Sequence, residues 1–364
     1  MSGHGIRTVA RLELKQRVRA ARWPIVLGLW VVTIAAITGL TWASVNDRQF
    51  DQGPALYDVV TFCVLGLGML VVPSLTATSI NGDREHGVLA TLQTTLLSAG
   101  DIVVGKLVAA WTVAMIFLAT AVPFLTLAWL AGGLGIGAVA LSLVVLATVL
   151  AVICAIGLMF SALTARPVAS AVLTYLTVAA LTVGTVIGFG LAYFLVAQEE
   201  TVQVRQVRDD FWMDFERQQP KPETEEELQN WHPPEPTAAD CVVTSEQRTV
   251  GHTERIWWLL PLNPFVVVAD AAPRAAARAD DGGAFTPMKW ISDGVRTAKA
   301  GPPEVYDYCS QQVLGTGDTT TPKSGPVWPY GLGFLVLAGV GATTISRARV
   351  RTPVRSLPSG TRIA

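Results

Sequence analysis

Six stretches of this 364-residue chain are continuously apolar: 24–45, 57–80, 103–130, 136–163, 167–197 and 327–346. A helix needs about 20 mostly apolar residues to cross the hydrocarbon core of a bilayer, and each stretch provides them. In lipid the backbone must satisfy its own hydrogen bonds, which selects helices over open strands. Charged residues make up 15% of the chain, against roughly 25% in a soluble globular domain. The runs predict an all-α polytopic membrane protein with six transmembrane helices. The first run is too long for a signal-peptide core, and Thr41-Trp42-Ala43 is a poor cleavage site, so it reads as a retained anchor.

Charge is strongly segregated. Residues 1–23 hold Arg7, Arg11, Lys15, Arg17, Arg19 and Arg22 against Glu13 alone, and the 347–364 tail holds Arg347, Arg349, Arg351, Arg355 and Arg362 with no acid. Basic flanks face the cytoplasm, so both termini are expected inside, which an even number of spans allows. On a helical wheel over 5–22, Arg7, Arg11, Lys15, Arg19 and Arg22 gather on one face and Ile6, Val9, Ala10 and Leu14 on another. That pattern reads as an interfacial amphipathic helix or as a simple positive-inside anchor, and the two are compatible.

The 199–326 segment falls on the opposite side, as an extracytoplasmic insertion between the fifth and sixth spans. Its 199–325 part carries 21 acids and 12 bases. Residues 199–230 are rich in Gln and Glu and read as a helical continuation of the fifth span, followed by prolines at 220, 222, 233, 234 and 236. Cys241 and Cys309 are two cysteines in an oxidising compartment, which suggests one disulfide; two unpaired thiols would instead fit a cytoplasmic segment. Cys63 and Cys154 lie in spans and read as small packing residues. The apolar run 256–270, with Trp257, Trp258, Pro261, Asn263 and Pro264, is too short and too broken to cross and suits an interfacial or re-entrant position.

Tight turns are expected at Gly132-Gly133-Leu134-Gly135 and at Arg166-Pro167. Gly66, Gly68, Gly184, Gly188 and Gly190 permit close helix approach, within one subunit or between two. Trp30, Trp42, Trp111 and Trp129 read as interface anchors or lipid-facing packing.

The sequence has no Gly-x-x-x-x-Gly-Lys-Ser/Thr loop and therefore no P-loop for ATP. Its histidines, His4, His86, His232 and His252, have no metal-ligand spacing, and there is no Gly-x-Ser-x-Gly elbow. The spans carry almost no ionisable groups, Asp58 falling at an edge and Arg166 in a turn, which argues against ion-coupled transport.

One compact charged segment lies between neighbouring spans: Gly82-Asp83-Arg84-Glu85-His86-Gly87-Val88-Leu89, continuing through Thr94-Thr95-Leu96-Leu97-Ser98 to Gly105-Lys106. A charged cluster, a glycine, a short apolar helix, a Ser/Gly break and a Gly-Lys restart, at 81–106 here, resemble the cytoplasmic loop after the second span of ABC-2 type transporter permeases, which docks on a separate ATPase. The family more often reads Glu-Arg-x-x-Gly-Thr with Pro before the Ser, where this chain has Leu97. The N-terminal helix and the segment dipping between the last two spans are similar to the family's as well; the long insertion departs from it. The resemblance implies a permease subunit of an exporter in the bacterial plasma membrane, moving an amphipathic drug, lipid or glycolipid-like molecule. It implies ABC ATPase subunits as partners that bind the ATP and Mg, with no cofactor in this chain, and a second permease subunit, identical or paralogous. Contacts would be to membrane lipid, with no nucleic acid. Asp83, Arg84, Glu85, His86 and Gly87 would then couple the ATPase to the spans. Two rivals stand beside this reading: a receptor or scaffold whose 199–325 segment binds a ligand or envelope protein, and a secondary transporter, which the uncharged spans disfavour.

Overall fold

The computed structural model describes residues 2–19, 23–45, 52–88, 97–211, 213, 236–273, 285–309 and 324–351. The proline-rich stretch up to Pro234, the apolar stretch 89–96 and the tail from residue 352 lie outside the described residues.

Among the described residues, six helices are long and apolar enough to cross a membrane. After the N-terminal helix α1 (Gly3–Val18), they are α2 (Trp23–Val45), α3 (Gln52–Thr76), α5 (Ala99–Leu130), α6 (Ile136–Leu163), the compound fifth span, and α11 (Trp328–Arg351). A short helix α4 (Ser79–Glu85) continues α3 past an elbow at Ala77-Thr78. The fifth span consists of α7 (Pro167–Ala179), a π turn (Ala180–Gly184) and α8 (Thr185–Val196). Pro167 occupies the first helical turn, and Gly132 and Gly133 adopt positive φ in the turn between the third and fourth spans.

The core is built from the second, third and fourth spans around Val64, Leu65, Phe117 and Ile153. Trp30 is buried there, edge-on to Phe117 at 5.1 Å between ring centroids, so it is a packing residue rather than an interface anchor. The first and fifth spans lie at the periphery, where Leu40, Leu176 and Phe194 present apolar surface that only lipid or protein can cover. Elements approach closely at Gly157, where an added Cβ would meet Thr76 Oγ1 at 2.0 Å, and at Gly53, where it would meet Gly132 O at 2.1 Å. Gly188 and Gly190 have open space around them and make no such approach.

The elbow after α3 is explained by what replaces its lost backbone bonds. Pro73 removes one donor a turn earlier. The leading N–H groups of α4, from Ile80 and Asn81, donate instead to Ser161 Oγ of the fourth span at 2.9 and 3.2 Å. Asn81 is fully buried and accepts from the same hydroxyl.

The insertion departs from the helical expectation at its start, 199–207, whereas 214–230 lies outside the described residues. Ala197–Val207 is a strand, β1, paired antiparallel with β2 (Cys241–Gly251) over its whole length and parallel with β3 (Val305–Asp307). Glu and Gln favour helix, but Thr201, Val202, Val204 and Val207 are β-branched, and pairing along all of β2 overrides the local preference. The expected Cys241–Cys309 disulfide is present and fastens the start of β2 to the end of β3. No loop separates the fifth span from β1: His252 N–H donates to Val196 O, and Gly251 lies so close under Tyr193 that a Cβ would stand 2.0 Å from its ring.

Two carboxylates tie the rest of the insertion to the bundle. Helices α9 (Pro264–Ala271) and α10 (Pro287–Ala300) follow two 3₁₀ turns (Thr253–Arg255 and Trp257–Leu262). Asp58 of the second span is buried and accepts from Met288 N and Lys289 N, both at 2.8 Å, capping α10. Asp270 accepts from Val327 N at 2.6 Å and Trp328 N at 2.8 Å, capping the sixth span, and also from Arg296 Nε at 2.6 Å. His252 bridges Glu200 (3.0 Å) and Glu254 (2.8 Å), and hydrogen bonding first to Glu200 and then to Glu254 pushes its pKa above the ordinary 6.5.

Two outcomes follow for the insertion. The disulfide closes a separation of 68 residues, and losing such a constraint costs about 2–4 kcal/mol. Cys241→Ser with Cys309→Ser should therefore lower the melting temperature of the insertion and open it to protease; unchanged proteolysis would show that the sheet holds without the bond. Because folding favours the protonated His252, the His252 contribution is complete below pH 6.5 and fades as pH rises through the raised value. Melting of the detergent-solubilised chain, followed from mildly acidic to mildly alkaline pH, should lose that trend in His252→Gln.

Candidate functional site

The charged segment singled out in the sequence lies on α4 rather than in a free loop. Gly82, Asp83, Arg84 and Glu85 form its last turn, and His86 caps it, its N–H donating to Gly82 O at 3.0 Å and its ring Nδ1 standing 2.7 Å from the same oxygen. Gly87 then turns at φ 73°, a left-handed conformation that suits glycine and ends the helix.

The side chains of this turn divide into two groups. Asp83 points inward and pairs with Lys106 Nζ at 2.5 Å. Arg84 is half-buried, while Glu85 and His86 are exposed. Lys106 is fully buried near the start of the third span, where an isolated ammonium would be very costly. It is matched by Asp83, by a close ion pair to Glu13 of α1, and by Ser79 O at 3.2 Å. Glu13 also faces Arg17 at 3.7 Å. Two carboxylates and two cations from α1, α4 and the third span thus balance one another.

The surrounding backbone is shaped to bring these groups together. Gly105, next to Lys106, lets α1 cross directly over the third span: a Cβ there would meet Val9 Cβ at 2.7 Å. Ser98 and Asp101 form a capping box that starts the third span, and Asp101 Oδ1 also accepts from Ser2 N at 2.8 Å, fixing the beginning of α1. The Gly-Lys restart read in the sequence therefore has two physical tasks, close crossing and charge.

Sequence reasoning named Asp83 but neither its partner Lys106 nor Glu13, the second carboxylate that Lys106 pairs with. The signal was available, since Glu13 is the lone acid among the basic residues of 1–23 and Lys106 lies within an apolar run. The reading of the spans as nearly free of ionisable groups apart from Asp58 at an edge missed Lys106; both are buried near the start of their spans and satisfied by protein partners.

The other named segment lies beside the opposite end of the second span, away from α4. Asn263 donates to Thr182 O at 2.7 Å and Thr185 Oγ1 at 3.1 Å, joining the 256–270 segment to the π turn of the fifth span. Pro261 and Pro264 are buried, Trp257 is half-buried beside Tyr330, and Trp258 is exposed.

A family model described as ABC-2 family transporter protein matches residues 7–281. The chain belongs to this family. The match runs from α1 through the fifth span to α9 and its following residues, with α10 and the sixth span beyond it. No curated protein matches the chain. The ABC-2 transporter is thus a multi-pass membrane protein with a permease role, and α1, α4 and the third span meet in one buried ionic cluster.

Lys106→Met should strand two carboxylates and cost about 3–5 kcal/mol, as removal of one partner of a buried pair does. Thermal melting in mild detergent reads the loss, and adding Glu13→Gln and Asp83→Asn should recover most of it. Wild-type melting of Lys106→Met alone would show that the cluster contributes nothing to stability.

Proposed function

We propose that this chain is the membrane-spanning subunit of an ABC-2 exporter driven by separate ATPase subunits, and that α4 is where the ATPase acts. The observation that carries this reading is the division of α4. Asp83 is anchored to Lys106, while Glu85 and His86 are exposed at the end of the same helix, flanked by half-buried Arg84 and Gly87. A push on that end is received by a helix fastened to the second span through its elbow, to the fourth through Ser161 and to the third through Lys106. Force would reach three spans without crossing a flexible joint.

In this reading α4 and both basic termini face the cytoplasm of a bacterial plasma membrane, and the disulfide-closed insertion faces outward. ATP and Mg are bound by the partner, in keeping with the missing P-loop. A second permease subunit, identical or paralogous, completes the path. The substrate class is an amphipathic drug, lipid or glycolipid-like molecule. The three-stranded sheet gives the insertion a folded surface of its own, which favours a second role in binding an envelope partner through 199–325.

Capture of the native chain in mild detergent, with mass spectrometry of what accompanies it, tests the main reading. A stoichiometric P-loop ATPase is expected. Arg84→Glu should leave membrane insertion intact and uncouple ATP hydrolysis from transport, because it reverses charge beside the exposed end while sparing the Asp83–Lys106 pair. Unchanged transport in that variant would remove α4 from the mechanism, and recovery of envelope proteins alone would favour the receptor or scaffold role.

A further inference from the structure

Two aromatic rings at the start of the sixth span have a charge seated between them. Gly331 lets the first turn of α11 press onto the second 3₁₀ turn, since an added Cβ there would stand 2.4 Å from Pro261 O. That approach brings Tyr330 to Trp257, with ring centroids 5.6 Å apart and planes at 78°. The rings thus form two walls at nearly a right angle. Lys299, in the last turn of α10, places its Nζ 5.1 Å from both centroids, inside the reach of about 6 Å for a cation over an aromatic face. The same ammonium donates to Gly325 O at 3.2 Å.

The walls are held from behind. Trp257 packs against the buried Val266, Val295 and Val327. Asp270 fixes the elements on either side, capping the sixth span at Val327 and Trp328 and binding Arg296 one turn before Lys299. The front is open, because Tyr330 is 61% exposed. Tyr330 is also the third residue of α11, at the end of a span, where a membrane-embedded amphiphile presents its polar head. The excess of acids over bases in 199–325 favours the approach of a cation over that of an anion.

We propose that Trp257 and Tyr330 form a binding site for the organic ammonium head of a cationic amphiphile, and that Lys299 competes for it. The two rings already hold one ammonium between them, so the chain itself displays the chemistry of the site. A quaternary head carries the same charge with a weaker hydration shell than a lysine, and gives up less on meeting two π faces. Lys299 is half-buried on a long flexible stem and can return its charge to water when such a head arrives. The inference deepens the exporter reading, on which its place in transport rests, by giving the amphipathic substrate a cationic head.

Calorimetric titration of the full chain in neutral detergent with choline, and with its uncharged carbon isostere dimethylbutanol, tests the site. Choline is expected to bind about fivefold more tightly than the alcohol, the scale of one cation–π contact. Lys299→Ala removes the competitor and should raise the affinity for choline by about fivefold, whereas Lys299→Arg should not. Tyr330→Leu, at an exposed position, should remove the preference for choline, and Tyr330→Phe should keep it. Equal binding of the two probes by the Lys299→Ala chain overturns the proposal. So does a Lys299→Ala chain that melts as wild type and binds choline no better, which makes Lys299 a structural contact only. Neither probe requires an ATPase, so the two readings fail separately. Choline binding in a chain that captures no ATPase would leave the site standing without the exporter, and an ATPase captured by a chain that binds both probes equally would remove the site alone.

Discussion

Lys106 is fully buried, and it is stable there because Glu13 and Asp83 reach it from two other helices. The low dielectric that makes a lone ammonium so costly also strengthens its attraction to a matched carboxylate. The arrangement is therefore cooperative. Moving α1 or α4 away leaves charges without partners, so the three helices hold their relative positions as a unit. Gly105 makes this possible by letting α1 approach until Glu13 is within reach.

The same logic recurs at the starts of helices. A helix beginning inside a bundle leaves N–H groups that water cannot reach, and here acceptors distant in sequence take them. Asp58 takes those of α10, Asp270 those of the sixth span, and Ser161 those of α4. Each acceptor is a short side chain from a different element, so each cap is also a tertiary clamp. The insertion is joined to the bundle chiefly by such contacts, together with packing of Val267, Val268 and Met288 into the apolar core.

The spans were legible in the sequence because lipid imposes a length and a polarity that few other folds share. The fourth, 136–163, agrees at both ends, and the fifth was placed to within a residue. The second was expected to begin at 57, whereas its helix starts at Gln52 because polar residues can extend a helix beyond its apolar part. The strand at 197–207 was not legible, since its partner lies across a long stretch of chain and local composition favoured helix. At the candidate site, Asp83 to Gly87 could be read as a charged turn, but its division into an anchored side and an outward side depends on Lys106, whose neighbours come from residues 13 and 79. Proximity of that kind is set by packing, which a linear pattern of charges does not encode.

The junction between the fifth span and β1 has a mechanical consequence. With Gly251 seated against Tyr193 and no linker between helix and strand, the two elements act as one stiff rod. A strand of 11 residues extends about 36 Å at 3.3 Å per residue, so a tilt of about 10° at its base would displace its tip by about 6 Å. Small reorientations of the peripheral fifth span would thus be magnified at the far edge of the sheet, much as a pointer magnifies the turn of its axle.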